Sequence, residues 1–143
     1  MRRMAGLLPL YWDPKSGKLY LEIPHLDEDV LYVDSLPYGV GSNDLGLDRG
    51  QMSESRIVRF ERTGPKVLLV EPNEMFRASS TDAAEQLAVR QSFPESVLAG
   101  FKVEAEGAAE PGKDASVLVD ATDFFLRDVH AVAEALTKNH QGN

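Results

Sequence analysis

The histidines are the first residues whose spacing could support chemistry. A zinc peptidase motif places two histidines four residues apart on a helix, with a glutamate beside the first. His25, His130 and His140 do not have that spacing. His130 and Glu134 are four residues apart on a predicted helix, so they could share a metal ion or simply pair at the surface. A single histidine and a single carboxylate favour pairing, and we predict no metal site in this chain.

A glycine-rich segment, residues 37–52, could hold a phosphate on its backbone N–H groups. Gly39 and Gly41 match the first two glycines of the dinucleotide-binding pattern, but Asp44 occupies the third position. A P-loop that starts at Gly41 would need a lysine where Leu47 stands. Both patterns fail, and acidic side chains here would repel a phosphate. The alternative is that these glycines allow tight backbone turns.

The remaining catalytic patterns are weak. Ser42 does not lie in the Gly-x-Ser-x-Gly elbow of hydrolases. The acidic run at 27–29 lacks the glycine and the downstream glutamate of a calcium loop. Asp120, Asp123 and Asp128 could supply a pair of glycosidase carboxylates, but one of them is expected to cap a helix. We therefore predict no catalytic residue.

Positive charge is concentrated in one segment of an otherwise acidic chain. Three arginines recur at three-residue spacing in and after a predicted strand: Arg56, Arg59 and Arg62. They could bind a carboxylate or an acidic partner surface. The alternative is pairing with nearby glutamates, namely Glu54, Glu61 and Glu71.

The elements that position these residues are predicted mainly from alternation of apolar and polar residues. The predicted strands and hairpins are 8–23, 30–36, 56–70, 75–77, 97–106 and 116–126, the last with a break at Ala121–Thr122 as an alternative, and the predicted helices lie near 81–93 and 128–137. Ser80 or Thr81 can cap the first helix and Asp128 the second. We predict an α+β fold, mainly an antiparallel β meander of about 7–9 strands with two short helices. One domain over residues 1–143 is expected, with a flexible tail at 138–143.

Composition excludes several classes of protein. The 143 residues are 43% hydrophobic, which is enough for one domain with a core. A net charge of −8 argues against nucleic acid as a partner, and no apolar run is long enough to span a membrane. The absence of cysteine excludes disulfides, thiolate zinc sites and a cysteine nucleophile. Arg2 and Arg3 precede an apolar run too short for a signal peptide.

Many short blocks, taken together and in order, resemble a known family. The blocks are Leu8–Asp13, Gly17–Ile23, Gly39–Asn43, Gly46–Gln51, Val58–Arg62, Gly64–Leu69, Phe76–Ala78, Ser96–Leu98 and Val119–Phe124. They resemble a domain of unknown function that lies immediately N-terminal to the peptidase domain of bacterial metzincin-type zinc-dependent metalloproteases. The resemblance covers about residues 6–136.

The resemblance implies a non-catalytic role for this chain. Family members are exported, to the periplasm or beyond, and carry an extended HExxH zinc motif in a downstream domain. This chain has no HExxH motif, so it is expected not to be an enzyme and to need no cofactor. Zinc is expected only in the peptidase domain. The implied function is a propeptide-like or accessory domain that packs on or regulates a peptidase domain of the same polypeptide.

Two groups of residues are candidates for the interface with that peptidase. The loop group is Gly39, Gly41, Ser42, Asn43, Asp44, Asp48, Arg49 and Gly50, and the strand group is the three arginines. Within the loop, Asp44 or Asp48 could reach the zinc as an inhibitory carboxylate. The alternative function is a stand-alone periplasmic module that binds a peptide or another ligand. An isolated chain is also expected to self-associate through an exposed strand edge.

Overall fold

The computed structural model describes residues 1–39, 47–73, 82–108 and 115–140. The chain divides into two compact units. The first unit comprises Met1–Val30 and Ile57–Phe125, and the second comprises Leu31–Arg56 and Leu126–Asn143. The expectation of one domain over the whole chain stays a prediction.

Eight strands and three short helices form within the described ranges. In chain order they are β1 (Arg2–Met4), β2 (Leu10–Asp13), β3 (Lys18–Ile23), β4 (Val30–Tyr32), β5 (Arg56–Thr63), β6 (Lys66–Glu71), α1 (Ala83–Ser92), β7 (Ser96–Glu106), β8 (Val117–Asp120), α2 (Thr122–Phe125) and α3 (Val132–His140). The predicted strand at 75–77 lies outside the described residues, as do residues 141–143 of the predicted tail.

The strands form one sheet, which confirms the predicted mainly antiparallel fold. Seven of them are ordered β1-β2-β3-β8-β7-β6-β5, and β4 completes an eight-stranded sheet. The β2–β3 and β5–β6 pairs are hairpins, as alternation and turn residues predict. The order departs from a meander at β3, which pairs with β8 so that Tyr20 lies opposite Asp120. The β3–β8 pair therefore joins the N-terminal segment of the first unit to its C-terminal segment.

The core of the first unit lies on one face of this sheet. Alternate residues of β3 and β8 are buried there, and β5, β6 and β7 add further apolar side chains; the buried set includes Leu19, Leu21, Ile23, Val58, Phe60, Val67, Leu69, Phe101, Val117 and Val119. The ring of Phe101 contacts those of Phe60 and Phe124. Removal of this apolar surface from water is the main term that stabilises the sheet.

Three local predictions need correction. The strand predicted over 116–126 ends at Asp120, and Thr122–Phe125 forms the additional helix α2. The reason is that the Asp120 carboxylate accepts a hydrogen bond from Thr122 N, which turns the chain at this point. The residue that caps α1 is Asp82, which accepts a hydrogen bond from Ala84 N, rather than the predicted Ser80 or Thr81. Strand β1 is not among the predicted strands, because its residues do not alternate between apolar and polar; it forms by pairing with β2.

Candidate interaction site

A two-stranded ribbon in the second unit organises the glycine-rich segment. We use the name ribbon for residues 31–36 and 50–53. Backbone hydrogen bonds run from Ser53 N to Asp34 O at 2.9 Å, from Leu36 N to Gln51 O at 2.8 Å and from Gly50 N to Leu36 O at 2.8 Å. The two segments are therefore antiparallel.

A tight turn leads into the second segment of the ribbon. Gln51 N donates to Asp48 O at 3.1 Å, and Gly50 has a φ of +82° at the third position of the turn. A positive φ at this position is typical of a type II turn and favours glycine. Gly39 lies against the backbone of Arg49, where an added Cβ would stand 3.5 Å from Arg49 N. The structure thus brings together the four described members of the predicted loop group.

The other four members of the loop group stay untested as interface residues. Gly41, Ser42, Asn43 and Asp44 lie outside the described residues. Their predicted role at an interface stays a prediction. For Gly50, the turn explains the glycine without any phosphate, as the alternative interpretation of this segment expected.

One face of the ribbon carries an exposed apolar stripe. Ser35 and Met52 lie directly opposite each other, so their side chains share a face. Alternation places Leu31 and Val33 on that same face. Leu31 is 66% exposed and Met52 is 68% exposed. We call Leu31, Val33 and Met52 the apolar stripe.

The opposite face of the ribbon carries an aspartate–histidine pair. His130 Nε2 lies 3.5 Å from Asp34 Oδ2, and both side chains are mostly buried. Asp34 Oδ2 accepts no hydrogen bond from the described residues. The sequence did not reveal this pair because its members are distant along the chain. The only signal was the alternation that places Asp34 beside the half-buried Tyr32 and Leu36.

The candidate metal pair does not come together as a ligand set. Glu134 Oε1 is bound by Lys138 Nζ at 2.6 Å, one helical turn further along α3, while His130 faces Asp34. Within the ranges that the structure describes, no group of three or more His, Asp or Glu residues could hold a metal ion.

The arginine group divides between two faces, and two of its three members are bound by acidic partners. Arg62 lies opposite Val67, on the buried face of the sheet, whereas Arg59 lies on the other face. Arg59 donates hydrogen bonds to Glu61 and Glu95, and the Glu61 contact raises the pKa of the Arg59 guanidinium. The Arg59–Glu61 pair is one that the alternative interpretation, pairing of the arginines with nearby glutamates, predicts.

Arg62 is bound in the same way at the end of its strand. Its Nε donates to Gly64 O at 2.9 Å, and its second guanidinium nitrogen lies 2.7 Å from Glu106 Oε1. Arg56, the third member, belongs to the second unit. A ligand that used Arg59 and Arg62 would have to displace ion pairs on two faces of the sheet.

Two of the three aspartates considered for glycoside hydrolysis have structural roles. Asp120 accepts hydrogen bonds from Lys18 Nζ at 2.7 Å and from Thr122 Oγ1 at 2.6 Å, and these hold the pKa of its carboxyl below the ordinary value. A general acid needs a raised pKa instead. Asp128 caps α3, as predicted, by accepting from Val132 N and Ala133 N, and these contacts lower its pKa.

Comparisons with known proteins place the chain in a family. Among the described residues, no helix is long and apolar enough to cross a membrane. No curated protein and no solved structure matches the chain. A family model described as a domain of unknown function, DUF5117, matches residues 50–143, about two thirds of the chain. The chain therefore belongs to the DUF5117 family.

Proposed function

We propose that this chain is a non-catalytic accessory or propeptide-like domain of a zinc-dependent metalloprotease. It would pack on, or regulate, a peptidase domain of the same polypeptide, and zinc would be bound in that peptidase domain. The proposal rests on the ordered blocks that resemble the region before the peptidase in such enzymes. By the same resemblance, the protein would act in the periplasm or outside the cell.

The structural observation that supports an interface is the apolar stripe. Leu31 and Met52 each leave most of their side chain in water. Covering apolar surface is favourable by about 25 cal/mol per Å². Asp48 and Arg49, which lie in the turn at one end of the ribbon, are polar and exposed. An apolar centre beside a polar edge is typical of protein–protein interfaces.

The first test is the gene that encodes this chain. We expect its reading frame to continue into a segment that carries HExxH. A full-length polypeptide without such a segment would refute the proposal.

The second test uses the full-length polypeptide and a charge in the stripe. Met52→Lys should change the rate of casein hydrolysis at least about tenfold, because a charge in an apolar contact costs on the order of 1.4 kcal/mol or more. A gain of activity would indicate an inhibitory domain, and a loss with reduced zinc content would indicate a structural or chaperone-like one. Leu7→Lys is the matched control, because Leu7 is exposed but lies in the first unit.

Direct inhibition of the zinc by a carboxylate makes a separate prediction for two aspartates of the glycine-rich segment 37–52. Asp48→Asn and Asp44→Asn remove the two carboxylates that would reach the zinc. We expect one of them to increase the activity of the unprocessed enzyme. Unchanged latency and zinc occupancy in both variants would contradict direct inhibition, while the packing role would still depend on Met52→Lys.

Self-association of the isolated chain is a further part of the proposal. Without the peptidase, the apolar stripe could be covered by a second copy. Light scattering should detect a dimer or larger species, and Met52→Lys should shift it toward monomer. A monomeric isolated chain would contradict this part.

A further inference from the structure

A groove lies on the face of the sheet opposite the core of the first unit. It has a volume of about 250 Å³, and its walls include Met1, Tyr11, Glu22, Ala105, Glu106 and Leu118. All of these residues belong to the first unit. None of the three arginines of the strand group lines it.

Strand register explains how these side chains meet. Leu118 of β8 lies opposite Glu22 of β3 on one side and opposite Ala105 of β7 on the other. Residues that lie opposite each other share a face. Tyr11 lies opposite Tyr20, which has the same alternation as Glu22. The result is an apolar floor with an aromatic wall and a carboxylate.

Among the described residues, the partner of the Glu22 carboxylate is a tyrosine hydroxyl and not a cation. Glu22 Oε2 accepts a hydrogen bond from the Tyr11 hydroxyl at 2.6 Å. Arg3 Nε donates at 3.3 Å to that hydroxyl and not to the carboxylate. In the described parts of the chain, Glu22 forms no ion pair and its Oε1 accepts no hydrogen bond. Glu106, in contrast, lies opposite the buried Val117 at the end of β7, and its carboxylate is paired with Arg62.

Size and lining indicate the kind of ligand. Small-molecule sites usually have volumes of about 300–1,000 Å³, so this groove suits a single amino-acid side chain better. Lysine and arginine combine an apolar stem with a charged end. The stem would lie along Leu118 and Ala105, and the charge would reach Glu22 Oε1 beside the Tyr11 ring, which can also attract a cation.

We propose that this groove binds the side chain of a lysine or arginine presented by a partner polypeptide. The inference does not depend on the proposed function. It uses residues of the first unit, whereas the apolar stripe belongs to the second.

Titration with short peptides, followed by NMR of the whole chain, tests the proposal. The probes are acetyl-Gly-Lys-Gly-amide, its arginine counterpart and acetyl-Gly-norleucine-Gly-amide. Either basic peptide should shift the backbone resonances of Tyr11, Glu22 and Leu118, and the norleucine peptide should not. Glu22→Gln keeps the size of the side chain and should weaken binding by at least about tenfold, because charge-assisted hydrogen bonds are the stronger ones.

Two further variants keep the test decisive if Glu22→Gln fails to fold. Ala105→Lys places an ammonium group of the chain itself in the groove and should also abolish binding of both basic peptides. Glu28→Gln removes an exposed carboxylate outside the groove and should leave binding unchanged. Equal shifts with the norleucine peptide, or undiminished binding to Ala105→Lys, would overturn the proposal.

Discussion

Replacing Asp120 with alanine tests how the end of β8 is joined to β3 and α2. The carboxylate accepts three hydrogen bonds, from Thr122 N at 3.1 Å, Thr122 Oγ1 at 2.6 Å and Lys18 Nζ at 2.7 Å. Thr122 Oγ1 in turn accepts from Leu19 N at 3.0 Å, so the substitution also loosens a contact to β3. Hydrogen bonds to a charged group contribute about 1.5–3 kcal/mol each when little water can replace them.

The exposure of the partners determines how much of this is lost. The Asp120 side chain is 22% exposed and that of Lys18 is 44% exposed, so Lys18 returns largely to water. The main loss is therefore the two bonds from Thr122, which act as a cap on the first turn of α2. We expect Asp120→Ala to lower the free energy of unfolding by about 2–3 kcal/mol.

Urea denaturation followed by the fluorescence of Trp12 measures this effect, because Trp12 lies opposite Leu19 in the β2–β3 hairpin. Asp120→Asn keeps one acceptor for Thr122 and should cost about half as much. Lys18→Met should cost less than Asp120→Ala, and the control Asp123→Ala should stay within about 0.5 kcal/mol. An effect of Lys18→Met equal to that of Asp120→Ala would refute the reasoning, as would a negligible effect of Asp120→Ala.

The lowered pKa of Asp120 predicts that the effect of Asp120→Ala on the free energy of unfolding depends on pH. Hydrogen bonds from Lys18 and Thr122 lower this pKa in the folded chain relative to the unfolded one. Its contribution to stability is therefore complete above the unfolded pKa of about 3.9 and is lost as pH falls through the folded pKa. The difference in stability between wild type and Asp120→Ala should therefore shrink at acid pH to about the difference between Asp120→Asn and Asp120→Ala, because a protonated carboxyl keeps one carbonyl acceptor. A difference that persists unchanged there would contradict the assigned cause.

Three further predictions concern the other elements. Asp128→Ala removes the acceptor for two backbone N–H groups of α3, so carbon chemical shifts should show less helix. In the wild type, the lowered pKa of Asp128 predicts that helix content in α3 also falls as pH falls through that pKa. Gly50→Ala forces a φ of +82° on a residue with a Cβ and should speed amide exchange in the ribbon, at a cost of about 1–2 kcal/mol; unchanged exchange would contradict the turn. Val67→Ala, at a side chain that is 0% exposed, should destabilise by about 2–3 kcal/mol in urea, whereas Val97→Ala, at a 60% exposed one, should not.

Local patterns predicted most of the individual elements. The β2–β3 hairpin follows from the alternation of Lys18–Ile23 and from Gly17, whose φ is +67°. The Asp128 cap follows from its place before an apolar helical pattern. Thr122–Phe125 falls in the predicted strand 116–126, for which a break at Ala121–Thr122 is the alternative. Threonine and phenylalanine favour strands, and the carboxylate of Asp120 overrides that preference.

Contacts between distant residues could not be predicted in the same way. Asp34 and His130 are separated by most of the chain, and neither has a neighbour that would indicate the other. The partner of Arg62 is Glu106, two strands away in the sheet, rather than one of the glutamates near it in sequence. Such pairs depend on the order of strands, which the local patterns of a single sequence do not reveal.

The pairing of β3 with β8 has a consequence for how the chain is made. During synthesis the β2–β3 hairpin emerges early, but one edge of β3 stays unpaired until β8, which ends at Asp120, has left the ribosome. Pairing between such distant segments slows folding, because a long loop must close first. Residues 50–143, which match the family, contain β8 without β3. A fragment cut at residue 50 would keep β8 but lose β3, and it would present a bare strand edge to other chains.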